Sequence, residues 1–167
     1  MTPSQTLGPF YHMLCADESL GRVAGPDAEG EHIRLRFRML DGDGAPVPDG
    51  MIELWQADAS GRYNAGGFGG FGRLATDAEG ACVFETIYPG RVDGQAPHVS
   101  VSVFARGLLK RLCTRVYFEG DPALAEDPVL ALVPADRRST LLARRDADCW
   151  AIDIHLQGDR ETVFFDI

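Results

Sequence analysis

A single histidine precedes a run of alternating valines and serines in the segment QAPHVSVSVF, residues 95–104. If this segment is a strand, its side chains alternate between two faces, so that His98, Ser100 and Ser102 share one face and three valines share the other. A metal site on a strand often uses two histidines spaced by one residue, because two imidazoles on one face can hold one ion. The second position here is Ser100, a poor ligand for a transition metal. His98 is therefore either half of a metal site or a structural histidine beside a polar face.

The segment ELWQADASGRY, residues 53–63, could also deliver a reactive side chain. It places Trp55, Asp58, Gly61 and Tyr63 at the predicted end of a strand and in the turn that follows. One interpretation is a packed tryptophan followed by an ordinary turn. The other is a tyrosine held at a site by a rigid turn, since binding and catalytic groups are often carried by loops on a rigid scaffold. The segment alone is compatible with both interpretations.

Other recognisable sites are scarce. His12, His32 and His155 are each interpreted as a structural histidine rather than a ligand. The sequence has no G-x-S-x-G nucleophile motif, no P-loop and no H-E-x-x-H zinc motif. The stretch GGFGGFG, residues 66–72, precedes no convincing helix, so it predicts a flexible surface loop rather than a phosphate-binding cradle.

The elements that must position these residues are short strands separated by Gly, Pro, Asp and Asn. The strand-like segments are, in order, IRLRFRML, MIELW, ACVFETI, HVSVSVF, RLCTRVYF, CWAIDIHL and ETVFF. Their even spacing predicts an all-β sandwich or barrel. Residues 121–145 differ, because PVLALV and DRRSTLLARR have the composition of helices and predict one short helical excursion. Residues 1–30 are rich in Pro and Gly and predict an N-terminal arm, which leaves residues 31–167 as the β-sandwich domain.

Composition limits the classes of function. The 167 residues suit one domain with a substantial core. A formal net charge of −9 makes the chain a poor partner for a nucleic acid backbone. The start MTPSQTLGPFYHM lacks the basic and long apolar parts of a signal peptide, and no apolar stretch is long enough to span a membrane. The four cysteines form no C-x-x-C pair, so we expect small buried thiols in the reducing cytoplasm.

Several of these segments together resemble one enzyme family. The series DGAPVPDGMIELWQADASGRY, TDAEGACVFETIYPG, APHVSVSVFARG and TRVYFEGDP is similar to the intradiol ring-cleavage dioxygenases, which are β-sandwich enzymes with non-haem ferric iron. The resemblance covers nearly the whole chain, and the W-Q-A-D-x-x-G-x-Y motif is a specific part of it. The opening PSQTLGPFY and the ending DIHLQGDRETVFFDI resemble the α-type chains of the family.

The resemblance implies an iron site that has lost half of its ligands. Catalytic members of the family hold Fe(III) with two tyrosines and two histidines. Tyr63 falls on the first tyrosine position and His98 on the first histidine position. The second tyrosine and second histidine positions are occupied by Val92 and Ser100, which offer neither phenolate nor imidazole. We therefore expect these four positions to form a degenerate site that binds no metal.

Two nearby positions add detail to this implied site. Tyr88 lies before Pro89 and Gly90, and it would serve as the second tyrosine only with a shift of register. The active-site arginine of the family lies three residues before the first histidine, a position that Gln95 occupies here. The loss of this arginine also indicates a degenerate centre.

In the family, the α-type chains pair with a homologous β subunit that carries the Fe(III). The N-terminal arm and one arginine of the α chain line the substrate pocket beside that iron. The matching residues are Thr6, Gly8 and Pro9 in SQTLGPF and Arg115 in CTRVYF. A guanidinium suits an aromatic carboxylate, because it makes charge-assisted and often bidentate hydrogen bonds. The alternatives are a surface salt bridge for Arg115 and a plain dimer contact for the arm.

The reaction that the resemblance implies is cleavage of protocatechuate with O2 to 3-carboxy-cis,cis-muconate, a step of the β-ketoadipate pathway. The β partner would supply the iron, and this chain would supply shape, charge and assembly. Two other interpretations remain open. One is a self-sufficient homodimeric catechol dioxygenase, if the register around Val92 differs. The other is a non-catalytic transthyretin-like β-sandwich binding module, because that class shares the pattern G-x-P-V followed by T-D-x-x-G.

Overall fold

The structure, a computed structural model, describes residue 8, residues 11–15 and residues 17–166. Within these residues the strands are β1 (His32–Leu40), β2 (Met51–Gln56), β3 (Phe71–Ala75), β4 (Ala81–Ile87), β5 (His98–Phe104), β6 (Leu112–Phe118), β7 (Leu142–Asp146) and β8 (Cys149–His155). The helices there are one turn of α-helix, α1 (Tyr11–Leu14), and the 3-10 helices Glu18–Gly21, Pro122–Glu126, Leu130–Leu132 and Arg138–Leu141. None of these helices is long and apolar enough to cross a bilayer.

The strands form two packed halves of one sheet, whose strand order is β3-β2-β5-β6-β7-β8-β1-β4. One half, β3-β2-β5-β6, is antiparallel throughout. The other half, β7-β8-β1-β4, is antiparallel except for the parallel pair β1 and β8. A short parallel pairing of β6 with β7 connects the halves. Side chains from both halves share one hydrophobic cluster, so the predicted β-sandwich is confirmed.

The alternation of residues along the strands decides which side chains enter the core. On β5, Val99, Val101 and Val103 are buried in the core, while Ser100 and Ser102 are half-buried on the opposite face. β1 follows the same rule, with apolar residues inward and arginines outward. The two faces that the sequence predicts for residues 95–104 are therefore confirmed, and the polar face of β5 points away from the core.

Three segments differ from the sequence-based prediction. Residues 71–75 form β3 along β2, although their glycine content favoured a loop. ETVFF is not a strand within the described residues, and it makes one isolated bridge, from Phe165 to Cys113. The helical excursion consists of three 3-10 helices, because prolines at positions 122, 128 and 134 divide the segment into pieces too short for an α-helix. The last residues of that segment form β7 instead.

The described part of the N-terminal segment lies on the body of the same chain. The 3-10 helix Glu18–Gly21 packs against β3 and also contacts β4. Beyond it, the amides of Val23 and Ala24 both donate to the carbonyl oxygen of Glu85 on β4, at 2.8 and 3.2 Å. Residues 18–24 therefore cover the outer edges of β3 and β4.

Candidate functional site

The turn after β2 is fixed by Asp58. Its Oδ1 accepts hydrogen bonds from the amides of Ser60 (2.8 Å) and Arg62 (2.9 Å), and its Oδ2 accepts one from Arg62 Nε (3.2 Å). Burial raises the pKa of Asp58, but these hydrogen bonds and the Arg62 charge outweigh burial and hold the pKa below its ordinary value. A carboxylate that accepts from amides two and four residues further on closes a turn. The turn therefore presents Tyr63 from a fixed backbone.

This turn packs closely against the loop that precedes β5. Gly61 has a φ of +78°, and a Cβ at this position would collide with the carbonyl oxygen of Arg91. The amide of Gly90 in turn donates to the carbonyl oxygen of Asp58 at 2.8 Å. The glycine of the W-Q-A-D-x-x-G-x-Y motif is therefore required both for its backbone conformation and for the contact between two loops.

We expect Gly61→Ala to lower the free energy of unfolding by about 2–3 kcal/mol, because the new Cβ meets backbone rather than a side chain that can move. Gly67→Ala is the matched control, since Gly67 also has a positive φ, +84°, but open space surrounds its Cβ position. For Gly67→Ala we expect the free energy of unfolding to fall by about 1 kcal/mol. Urea denaturation of both variants measures the difference, and equal losses would contradict the close contact between the loops.

Tyr63 lies half-buried against Trp55. The two ring planes are nearly parallel, at 4°, with centroids 5.8 Å apart. Burial raises the pKa of Tyr63, the nearby charge of Arg115 lowers it and Asp93 raises it, and the net shift is upward. The phenol is therefore neutral at physiological pH. Each interpretation of this segment describes part of the structure, because the tryptophan is a packing residue and the tyrosine follows a rigid turn.

His98 begins β5 and is 3% exposed. Its Nδ1 lies 2.8 Å from the carbonyl oxygen of Ala96, and because a carbonyl oxygen only accepts, Nδ1 carries the proton. Its ring packs against Tyr117, its register partner on β6, with centroids 5.8 Å apart. Burial lowers the pKa of His98, the Ala96 contact raises it and the Arg115 charge lowers it, with a net fall. His98 is therefore a neutral, hydrogen-bonded histidine at physiological pH.

Asp127 supports this histidine, although no sequence pattern had singled it out. It is 1% exposed. Four hydrogen bonds reach its carboxylate, from the Tyr117 hydroxyl (3.1 Å) and from the amides of Ala96 (2.7 Å), Val129 (2.9 Å) and Leu130 (2.6 Å). Two of these donors belong to residues that contact His98. The signal that could have identified Asp127 is the dipeptide Asp-Pro before a helical turn, because Asp is a preferred N-cap and Pro suits the next position.

Val92 begins a tight turn before β5. The amide of Gln95 donates to the Val92 carbonyl oxygen at 2.8 Å, and Asp93 and Gly94 have φ values of +47° and +78°. Positive φ at both central residues is the pattern of a type I′ turn. Val92 thus contributes an apolar side chain where the resemblance implies a tyrosine ligand, and the turn fixes the backbone of Gln95.

Arg115 lies on β6 beside Ser100, its register partner on β5. Its Nη1 donates to Oε1 of Gln95 at 2.5 Å. Within the described part of the chain it forms no salt bridge with a carboxylate, so the surface ion pair considered for Arg115 is not seen there. Burial raises the pKa of Tyr63 and Tyr117 and lowers that of His98; the positive charge of Arg115 opposes the rise in the two tyrosines and adds to the fall in His98.

Arg115 and Ser100 line a groove of about 380 Å³ on the face of β3-β2-β5-β6 that is turned away from the core. The groove is also lined by Trp55, Phe71, Arg111 and Phe165, and by Glu53, whose carboxylate is paired with Arg73. Aromatic walls with two arginines suit a flat, anionic ligand. Tyr63, Val92 and His98 are not among the described residues that line it.

The donor set of this centre does not fit iron. Tyr63 and His98 carry side chains that can bind Fe(III), but the apolar Val92 and the hydroxyl of Ser100 do not complete the set. The guanidinium of Arg115 adds a positive charge beside them, which opposes a metal ion. Among the described residues, no group of three or more His, Cys, Asp or Glu side chains is arranged to hold a metal ion.

The arm residues that the resemblance implicates are only partly described. Thr6 and Pro9 lie outside the described residues. Gly8 is exposed, and its carbonyl oxygen accepts a hydrogen bond from the Tyr11 amide at 3.1 Å, where α1 begins. Tyr11 is buried, and its hydroxyl donates to the Gly50 carbonyl oxygen at 2.7 Å. The body of this chain therefore anchors α1 at Tyr11.

Tyr88, the alternative second tyrosine, has a packing role. Its hydroxyl donates to Asp121 at 2.8 Å, and its ring packs against Phe118 with centroids 4.4 Å apart. Burial, followed by the Asp121 interaction, raises the pKa of Tyr88. The phenol is thus kept neutral, chiefly by burial and further by its carboxylate partner.

Two of the three remaining histidines have structural surroundings. His32 lies with Nε2 3.0 Å from the Ala28 carbonyl oxygen. His155 is buried near the end of β8, and its burial lowers its pKa. The side chain of His12 lies outside what the structure describes.

Comparison with known proteins identifies the family. A family model described as Dioxygenase matches residues 7–158. The protocatechuate 3,4-dioxygenase alpha chain of Burkholderia cepacia is 43% identical, with 99% of this chain and 97% of that protein covered. The protocatechuate 3,4-dioxygenase beta chain of Burkholderia cepacia is 36% identical, with 87% and 67% covered. The solved dioxygenase domain of a dioxygenase–carbohydrate-binding fusion from Streptomyces sp. SirexAA-E is 25% identical, covers 94% of this chain and 98% of its own, and has a TM-score of 0.69.

The matched region contains the turn that carries Tyr63, the tight turn at Val92 and the strands β5 and β6, which carry His98 and Arg115. The similarity of the solved dioxygenase domain extends over the sandwich that positions these residues. The same segments that resembled the family in sequence thus lie together in space, and the resemblance is confirmed. This chain belongs to the intradiol ring-cleavage dioxygenase family.

Proposed function

We propose that this chain is the α-type subunit of a protocatechuate 3,4-dioxygenase and completes the substrate pocket of a homologous β subunit. Its similarity to both an alpha chain and a beta chain of such an enzyme supports a two-chain assembly. The observation that carries the proposal is the position of Arg115. A guanidinium with no carboxylate partner among the described residues lies beside the positions where catalytic relatives hold a metal cation.

The proposed task of Arg115 is to bind the carboxylate of protocatechuate. A guanidinium matches a carboxylate with two parallel hydrogen bonds, which fixes the orientation of the ring as well as its charge. In the arm, Thr6, Gly8 and Pro9 are proposed to contact the ring. Gly8 lets the backbone approach a flat ligand, and Pro9 fixes the direction of the chain.

Family membership implies non-haem iron as the metal of the enzyme. We propose that the β subunit carries this iron as Fe(III), because Val92 and Ser100 stand at two of the four ligand positions of this chain. Protocatechuate and O2 then react at a site that both subunits form, giving 3-carboxy-cis,cis-muconate. We assign no nucleic acid or membrane to this chain as a partner.

The division of the chain follows from the same proposal. Residues 1–30 are proposed to act as the arm, whose Thr6, Gly8 and Pro9 reach the shared pocket while its residues 18–24 lie on the body of this chain. Residues 31–167 are proposed to act as the sandwich that supports it. We further propose a cytoplasmic location, which the free state of Cys15, Cys82, Cys113 and Cys149 supports, because unpaired thiols suit a reducing compartment.

We expect the chain purified alone to be colourless and inactive, and the chain coexpressed with its β subunit to contain about one iron per pair. Size-exclusion chromatography with light scattering should show one stoichiometric complex, since obligate interfaces commonly bury about 2,000 Å² or more. Metal analysis, a visible spectrum and a ring-cleavage assay complete the measurement. The matched control is the β subunit alone, loaded with iron in the same way.

Near-stoichiometric iron and a strong visible band in the isolated chain would instead favour the self-sufficient homodimeric enzyme. A stable monomer that does not bind the β subunit would also contradict the proposal. In either case the pocket would have to be sought within one chain.

A further inference from the structure

A hydrogen bond joins the side chains of Arg115 and Gln95, from Nη1 to Oε1. Gln95 stands where the family has an arginine, and a second guanidinium at this position would repel the first. A neutral amide instead offers an acceptor oxygen. The replacement therefore does more than remove a positive charge, because it allows Arg115 to approach the loop before β5.

The backbone holds both partners of this contact. The type I′ turn from Val92 to Gln95 fixes the acceptor, through the amide of Gln95 at 2.8 Å from the Val92 carbonyl oxygen. The register of β5 with β6 fixes the donor, by placing Arg115 opposite Ser100. A free arginine side chain samples many rotamers, so a partner that selects one conformation before the substrate arrives lowers the entropic cost of binding.

We propose that Gln95 is a positioning residue that holds the Arg115 guanidinium in place for the carboxylate of an aromatic substrate. The inference rests on the proposed function. A guanidinium has five N–H donors. The bond to Gln95 uses one on Nη1 and the interaction with Tyr117 another, so other donors remain for the carboxylate. Gln95 therefore organises the arginine without competing for it, and its loss weakens binding of carboxylated substrates alone.

The test uses the assembled α–β enzyme and compares protocatechuate with catechol, which lacks the carboxylate. Gln95→Met keeps the size of the side chain and removes the acceptor. It should lower kcat/KM for protocatechuate about threefold to tenfold, mainly by raising KM. The kcat/KM for catechol should change by less than about twofold. Gln157→Met, on the exposed turn after β8, is the matched control and should leave both substrates unchanged.

Gln95→Glu separates positioning from a plain structural role. Glutamate keeps the acceptor and the length of the side chain, but its negative charge offsets the positive charge of Arg115. The KM for protocatechuate should therefore rise further than in Gln95→Met. A residue that only supports the loop would tolerate this change. The double variant Gln95→Met with Arg115→Ala should be no worse than Arg115→Ala alone, because Gln95 acts through the arginine.

The outcomes are distinct. Additive losses in the double variant, equal losses for both substrates, or a gain in kcat/KM for protocatechuate in Gln95→Met would overturn the role of Gln95. If Arg115→Ala itself affects both substrates equally, the proposed function fails and this inference fails with it. A selective effect of Arg115→Ala with no effect of Gln95→Met overturns the inference alone.

Discussion

Arg115→Ala in the assembled α–β enzyme is expected to lower kcat/KM for protocatechuate by about tenfold to a hundredfold. The substitution removes a charge-assisted hydrogen bond to the substrate carboxylate, worth about 1.5–3 kcal/mol. Because the carboxylate is remote from the bond that breaks, the loss should appear chiefly in KM. Steady-state kinetics with a direct assay of ring cleavage measure it, and metal analysis should show iron at the wild-type level.

Two comparisons isolate the charge of Arg115 from its surroundings. Catechol lacks the carboxylate, so its kcat/KM should change by no more than about twofold. Arg111→Ala removes the same charge from the same groove but does not remove the partner of Gln95, and it should cost protocatechuate much less than Arg115→Ala. Equal losses for protocatechuate and catechol would show that Arg115 supports the fold or the interface instead.

Asp127→Ala should lower the free energy of unfolding by about 3–5 kcal/mol, a large part of the stability of a domain. The change leaves the Tyr117 hydroxyl and three buried amides without their acceptor. Urea denaturation at fixed protein concentration measures the loss. Asp121→Ala is the matched control, because Asp121 also precedes a proline at the start of a 3-10 helix but is only half-buried and accepts two hydrogen bonds. For Asp121→Ala we expect the free energy of unfolding to fall by about 1–2 kcal/mol.

The same carboxylate makes stability depend on pH. Burial raises the pKa of Asp127, but its hydrogen bonds lower it more, so the folded pKa lies below the ordinary value of about 3.9. A depressed pKa contributes stability above the unfolded pKa, and this contribution is lost as the pH falls through the folded pKa. Asp127→Asn should therefore be less stable at pH 7 and lose less further stability on acidification. If the wild type and Asp127→Asn lose the same amount of unfolding free energy as the pH falls, this role of Asp127 is contradicted.

The strands could be predicted because alternation of apolar and polar residues is a local property. β1 and β5 show it clearly, and both lie where their patterns indicate. β3 could not be found in the same way, since its FGRLA sequence owes its strand conformation to pairing with β2. ETVFF shows the reverse case, because its strand-like composition yields only the isolated bridge from Phe165 to Cys113 within the described residues.

The centre was predictable only where family resemblance assigned positions to individual residues. Tyr63, Val92, His98 and Ser100 could be named in this way, but resemblance does not show what their neighbours do. The contact between Arg115 and Gln95 depends on the register of two strands and on one turn, and it joins residues twenty positions apart. Asp127 is found only when the chain returns after β6 to meet the loop before β5.

The N-terminal segment that covers β3 and β4 also affects how readily the chain can aggregate. Unpaired strand edges are templates on which another copy can add a strand, and this leads to aggregation. Here the amides of Val23 and Ala24 already use the Glu85 carbonyl oxygen of the β4 edge. A strand from a second copy therefore cannot use that carbonyl oxygen, so the N-terminal segment shields this part of the β4 edge from edge-to-edge pairing.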